Sequence, residues 1–460
     1  MTKNLTAGPP TRLIVLFTLP LLVGNLFQQL YQFTDTAVVG RLLGVQSLAA
    51  VGATGSLTWL LIGFTFGASG GLAIPTARAY GANNLPQMRR YVAAGVVLSA
   101  GIAAVITLIG LTCGRPLLRL LDTPAELIPQ GATFLTVTFA GASATMAYNF
   151  LAATIRALGD SRTPLYFLIL ACALNAGLVF VFIAVFHLGV AGAALATIVA
   201  QGVTVVLCLA LIGRRMPELR LHKEDWHFRP GELGETTKFG LTMGFQMSVI
   251  AIGALVLQAA INGLGADAVA AWTVAARVDQ VAVQPLASFG LGAVTFVAQN
   301  RGALQWKRIR VGIFRTSLVT VGVSWALGAF MIIFGTSICR LFLGAGEDNV
   351  VAMSHKYLVL NGSLYTILAL LFLLRNAIQG LGVTSVPTIA GFMELALRSV
   401  AGLFLVSRFD FFGACLASPA AWLGALLPCA VAWFYERRRL LRNEAGATPK
   451  AEVSAVPAAV

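Results

Sequence analysis

Long apolar runs constrain this chain more than any other feature. Twelve stretches are long and greasy enough to cross a bilayer core, which takes about 20 helical residues. They fall near 12–38, 48–77, 92–111, 131–150, 163–186, 189–212, 237–262, 268–298, 312–334, 357–376, 386–406 and 412–435. In hydrocarbon the backbone must satisfy its own hydrogen bonds, so each run is predicted to be a helix. The chain reads as an all-α integral membrane protein of twelve transmembrane helices. Charged residues are only 11% of it, against about 25% in soluble domains. The net charge of +14 would suggest a nucleic-acid partner in a soluble chain. Here the basic residues lie in short loops between apolar runs, so no nucleic acid is expected; the bilayer is the partner.

Those basic residues are unevenly placed. The loop after the sixth run holds Arg214, Arg215, Arg220, Lys223 and Arg229, and the segment after the twelfth holds Arg437, Arg438, Arg439 and Arg442. The loops of opposite parity carry Arg41, Arg115, Arg119, Arg340, Lys356 and Arg408. The positive-inside rule then predicts a multi-pass plasma-membrane protein with both termini cytoplasmic. Arg375 is assigned to a cytoplasmic loop on the same reading. The first run continues past the length of a signal-peptide core, so cleavage is not expected. The six cysteines show no CxxC or metal-ligand spacing, and pairing of Cys113 with Cys339 is not expected.

The charged loop divides the chain. The expected layout is a six-helix lobe over 1–212, a cytoplasmic linker over 213–236, a second six-helix lobe over 237–435, and a basic segment with a disordered tail over 436–460. An internal repeat supports six plus six. At an offset of 221, Leu43-Gly44 meets Leu264-Gly265, Gly81-Ala82 meets Gly302-Ala303, and Arg89 meets Arg310. At 223, Leu158-Gly159 and Pro164 meet Leu381-Gly382 and Pro387. Each copy has an even number of runs, so both enter the membrane in the same direction. The lobes should be related by a pseudo-two-fold axis along the membrane normal, with a site near the midplane.

Inside the first run lies Asp35, a carboxylate in otherwise apolar surroundings. A mid-membrane charge costs roughly 2.5–3.5 kcal/mol on insertion scales, so such residues are usually functional. Gln28, Tyr31 and Gln32 precede it by seven, four and three positions and share overlapping helix faces. Asn175, Thr197 and Gln201 place further oxygens in runs five and six. With Asp35 they offer either a proton-holding network or a hard-oxygen cation site. In the second half, Val256 stands at the counterpart of Asp35, so ion handling should concentrate in the first half. That half still has Arg277, Asp279, Gln280 and Gln284 as cavity candidates, and a Glu394–Arg398 pair at helical spacing. No nucleotide-binding loop, catalytic dyad or metal constellation is found. The chain is expected to be no enzyme, to need no cofactor, and to act as a secondary transporter.

Taken in order, several motifs resemble the multidrug and toxic compound extrusion (MATE) transporters of the DinF-like branch. They are Gln29-Leu30-Tyr31-Gln32-Phe33-Thr34-Asp35-Thr36-Ala37-Val38-Val39-Gly40-Arg41 with Leu48-Ala49-Ala50-Val51-Gly52, and Arg156-Ala157-Leu158-Gly159-Asp160-Ser161 with Pro164. Gly189-Val190-Ala191-Gly192-Ala193-Ala194 with Ala196-Thr197, and Phe296-Val297-Ala298-Gln299-Asn300-Arg301-Gly302-Ala303, complete the set. The resemblance covers about 12–435. It implies two six-helix lobes in a V, a chain acting as a monomer, and export of small organic, often cationic, compounds by antiport with H+ or Na+. It also implies a coupling site at Asp35, Asn175 and Thr197, where Na+ is the alternative to H+. Relatives often carry Asp four residues after that Asn; Val179 stands here, which favours H+. The rival reading is a flippase for lipid-linked saccharide precursors.

Overall fold

A computed structural model describes residues 4–121, 123–343 and 347–447. Fourteen α-helices account for nearly all of them. The first six are α1 (Pro10–Ala53), α2 (Gly55–Gly81), α3 (Leu85–Leu120), α4 (Ile128–Ala140), α5 (Ala142–Ala157) and α6 (Arg162–Phe180). Then follow α7 (Gly189–Arg215), α8 (Pro230–Asn262), α9 (Ala266–Gly302) and α10 (Trp306–Leu343). The last four are α11 (Asp348–Ser363), α12 (Tyr365–Gly380), α13 (Ser385–Val400) and α14 (Val406–Ala447). Among the described residues, nine helical runs are long and apolar enough to cross a membrane, and α11 with α12 forms a tenth bent by 51°. The ninth run, Ser385–Ala445, contains two of the expected crossings. The remaining expected crossing, 131–150, is the broken pair α4–α5. All twelve stretches therefore fall in helix. α14 runs through Glu444 to Ala447, where a disordered tail was expected; residues 448–460 of that tail lie outside the described residues.

The breaks explain the pattern. A helix in hydrocarbon ends only where the backbone can turn without stranding its polar groups, and left-handed φ is the usual device. Such φ recurs at repeat positions: Gly44 (82°) and Gly265 (98°), Asn83 (55°) and Leu304 (55°), Gly159 (85°) and Gly382 (80°), His187 (52°) and Asp410 (49°). The first two pairs are 221 residues apart and the last two 223, the offsets read from the sequence. The bend between α4 and α5 at Gly141 recurs at Leu364, again 223 residues on. π-helical turns at Val181–Val185 and Ala401–Leu405 precede the His187 and Asp410 breaks. Local chemistry fixes the restarts. The Asn84 side chain accepts from Gln87 N at 3.1 Å to cap α3. Asp160 Oδ1 accepts from Arg162 N and Thr163 N, each at 3.0 Å, to cap α6.

The described chain forms two compact units. The first comprises 19–77 and 84–255, with Met1–Lys3 outside the described residues; the second comprises Asn4–Thr18, Arg78–Asn83 and 256 onwards. In the first unit, small clusters such as Val39, Val179, Ile183, Ala193 and Ala196 pack between helices. In the second, one large cluster runs from Leu257 to Cys429. Leu108, Val206, Trp325, Ile333 and Phe404 are more than 60% exposed, as helices bathed in lipid require rather than water.

Glycines set the helix approaches. In the first unit a Cβ on Gly71 would collide with the Phe239 carbonyl of α8. In the second, a Cβ on Gly292 would meet Thr18 Oγ1 of α1 at 2.6 Å. Gly71 and Gly292 are repeat partners, as are Thr18 and Phe239. The last turns of α2 and α9, both in the second unit, cross reciprocally: Gly81 lies on Gln299 and Gly302 on Arg78.

The stretch before α8 and the first turns of α8, which starts at Pro230, are docked rather than free. Three consecutive residues of α3 grip them within the first unit. Arg89 Nε lies 3.8 Å from Asp225 Oδ2, Arg90 Nε lies 3.0 Å from both Glu232 oxygens, and Tyr91 donates to Glu235 at 2.7 Å.

Gly302→Val should cost about 1–3 kcal/mol or more through overpacking and should shift the thermal midpoint on fluorescence-detected gel filtration. Gly322→Val, with nothing within 4 Å of its Cβ, should not. Arg90→Glu should lower the midpoint by about 1–3 kcal/mol of stability, because Glu232 loses its partner. Adding Glu232→Arg should recover most of that loss.

Candidate functional site

Asp35 lies on α1 nine residues before its left-handed break at Gly44, half-buried in the first unit. α6 and α7 bring the other oxygens to it. Tyr31, one helical turn earlier, donates from its hydroxyl to Thr197 Oγ1 at 2.8 Å. Asn175 Nδ2 donates to the same oxygen at 3.2 Å. Thr197 Oγ1 in turn lies 3.4 Å from the Ala193 carbonyl of its own helix. The Asn175 side chain also contacts Asp35. Four residues from three helices, separated by up to 166 positions, form one polar cluster.

Its accounts do not balance. Asp35 Oδ1 and Asn175 Oδ1 are both buried without a hydrogen-bond donor. An unsatisfied buried acceptor costs about 1–3 kcal/mol. Thr197 Oγ1 already accepts twice and donates once, which exhausts a hydroxyl. The cluster therefore has acceptors in excess of donors. One turn beyond, Val39 of α1 and the fully buried Val179 of α6 pack against Ala193 and Ala196. A hydrocarbon floor adjoins the cluster there.

The other first-half candidates line the neighbouring turns. Gln28 and Gln32 are half-buried on α1. Gln201 Oε1 accepts from Thr145 Oγ1 of α5 at 2.7 Å; no spacing rule singles out Thr145. The second-half candidates sit in the other unit. Asp279 of α9 accepts from Tyr365 at 2.6 Å and from Tyr357 at 3.4 Å. Both tyrosines come from α12 and α11, about 80 positions away, and no spacing rule links them to Asp279. Arg277 is exposed, while Gln280 and Gln284 are half-buried.

Arg375 needs correction. It is no loop residue: it is 3% exposed and lies 2.8 Å from Glu394 Oε2. Glu394 Oε1 meets Arg398 Nη2 at 3.2 Å. The helical pair expected at 394 and 398 is thus one edge of a buried triad. At the repeat offset of 223, Arg398 corresponds to Asn175. One copy carries a neutral amide beside an acid, and the other a salt-bridged guanidinium.

A duplicated all-helical membrane bundle with a buried carboxylate in a polar cluster defines a membrane transport protein. The MatE family model matches twice, over residues 20–181 and 243–404, and the two starts lie 223 residues apart. The chain belongs to the MatE family, the multidrug and toxic compound extrusion transporters. A probable multidrug resistance protein, YpnP, of Bacillus subtilis is 30% identical over 92% of this chain and 91% of that protein. DNA damage-inducible protein F of Escherichia coli is 30% identical over 44% of each chain. A solved structure described as the outward-facing conformation of a multidrug resistance MATE family transporter superposes with a TM-score of 0.86, at 20% identity, over 96% of this chain and 99% of that one. At that identity the likeness concerns the fold.

Glu394→Gln should leave two buried guanidiniums short of a counter-charge, at about 3–5 kcal/mol. A large drop in thermal midpoint in detergent is the expected result. Asp35→Asn should leave that midpoint near wild type, since its Oδ1 has no partner to lose.

Proposed function

We propose that this chain is a secondary antiporter that exports bulky organic, often cationic, compounds in exchange for H+, with Asp35 as the coupling carboxylate. The observation that carries this is the donor deficit at Asp35 and Asn175. A proton bound at Asp35 supplies a donor to a cluster with acceptors in excess. Loss of that proton restores a charge in low dielectric, which favours a changed packing of α1 against α6 and α7. Val179 and the oxygen count support H+ over Na+. With Thr197 Oγ1 fully used, the Asp35, Asn175 and Tyr31 oxygens are few to replace the water shell of a metal cation. Among the described residues no cluster of three His, Cys, Asp or Glu side chains offers a metal site.

The multidrug resistance names of the relatives support a drug-like substrate range. The distribution of basic loops supports cytoplasmic termini and a plasma-membrane location. Exchange of one H+ for one monovalent cation moves no net charge; a second H+ would add roughly 2.3 kcal/mol per 100 mV. A lipid-linked saccharide flippase would want free cations for a pyrophosphate. Arg398, one of the cations suited to that task, is engaged by Glu394.

The test is efflux of a cationic dye from proteoliposomes under separately imposed H+ and Na+ gradients. Efflux should follow the H+ gradient alone, and Asp35→Asn should reduce it at least roughly tenfold, the scale of a lost coupling step of about 1.4 kcal/mol or more. Undiminished H+-driven efflux in that variant would sink the proposal.

A further inference from the structure

A groove apart from the polar cluster lies in the second unit, where the chain first enters helix. Pro10 of α1 packs beside Gly312 of α10, whose missing side chain leaves 3.2 Å between a built Cβ and Pro10 Cβ. Next to this contact is a cavity of about 440 Å³, lined by Thr11, Arg12, Val15, Leu16 and Arg315 among others. Its two cations are oddly placed. Arg12 is exposed and heads an outward stripe of Leu16 (41%), Leu19 (49%) and Val23 (40%) at helical spacing. Arg315 is exposed beside Phe314 (62%) and one turn before Leu318 (60%). Both guanidiniums therefore start faces that hydrocarbon covers. Arg315 lies nine residues into α10, about 14 Å along its axis.

Neighbouring arginines are spoken for. Arg308 donates to the Gly8 and Leu5 carbonyls, and Arg310 pairs with Glu444. Among the described residues neither Arg12 nor Arg315 has a carboxylate within ion-pair distance. Thr11 Oγ1, on the same wall, is buried without a hydrogen-bond partner. Unpaired guanidiniums facing lipid call for an anion that lives in lipid.

We propose that this groove binds one anionic glycerophospholipid, its phosphate between Arg12 and Arg315 and an acyl chain along Val15 and Leu16. Arginine forks match phosphate oxygens, Thr11 can donate to the same group, and the apolar remainder of the wall suits a chain but not a soluble anion. Basic residues at a membrane surface attract anionic headgroups in just this way.

The experiment is native mass spectrometry of the full chain in detergent, with phosphatidylglycerol and phosphatidylcholine added in equal amounts. Wild type should retain phosphatidylglycerol several-fold over phosphatidylcholine. Arg12→Gln with Arg315→Gln should abolish that preference and leave the two lipids about equally retained, because both basic contacts to the headgroup are lost. Arg408→Gln, an exposed arginine elsewhere in the unit, should keep it. Arg12→Gln alone, at the helix start, should lose part of the preference and gives the reading if the double variant does not elute as a single species. Equal retention of the two lipids by wild type would overturn the proposal. So would an unchanged preference in the variants, or a mass shift reproduced by inorganic phosphate alone.

Discussion

Without water, a peptide group in a bilayer has only its own helix to bond to. That constraint decides where this chain can bend. Each bend must bring a replacement donor or a residue that tolerates left-handed φ. The chain meets the requirement in both copies at matching places, at Gly44 and Gly265, Asn83 and Leu304, Gly159 and Gly382, and His187 and Asp410. Two of these pairs are not glycine on either side, so the backbone shape outlasted the side chains that suit it best. The polar cluster sits against this frame: Asp35 precedes the Gly44 break, Asn175 precedes the π-helical turn at 181–185, and Thr197 follows the break at His187.

The two copies share a backbone and differ in chemistry. Around Asp35 the first keeps an under-donated set of oxygens with no basic side chain among them. At the equivalent place on α13 the second has a buried Arg–Glu–Arg triad held by short contacts. A triad of this kind resists change, because removing its centre strands two cations. The Asp35 cluster is the opposite: a single proton alters its charge and its hydrogen bonding at once. One copy is suited to switching and the other to holding.

Much of this was legible in the sequence. Twelve apolar runs, the six-plus-six repeat and the isolation of Asp35 followed from composition and period alone, because a membrane leaves few alternatives. Asn175 and Thr197 stood out as oxygens in apolar runs, the family resemblance pointed to the same positions, and they do meet through one hydroxyl. What stayed hidden depends on contacts between distant segments. Tyr357 and Tyr365 reach Asp279 from other helices. Arg375 looked like a loop charge because it lies near the end of an apolar run, yet Glu394 draws it into the core. The stretch 213–236 reads as a charged connector; only the structure reveals that Asp225, Glu232 and Glu235 answer Arg89, Arg90 and Tyr91 in turn. Asp160 carries weight in the family motif, and here it caps α6.

The reciprocal crossing of α2 and α9 has an ancestral reading. Gly81 rests on Gln299 and Gly302 on Arg78, and each pair is the other's duplicate. A surface that meets its own copy in this way is what a two-fold dimer of half-length chains would need. In such a dimer every substitution appears twice and must be tolerated twice. Fusion into one polypeptide lifted that burden, so an acid could arise in one half and a guanidinium in the other without either being imposed on its twin.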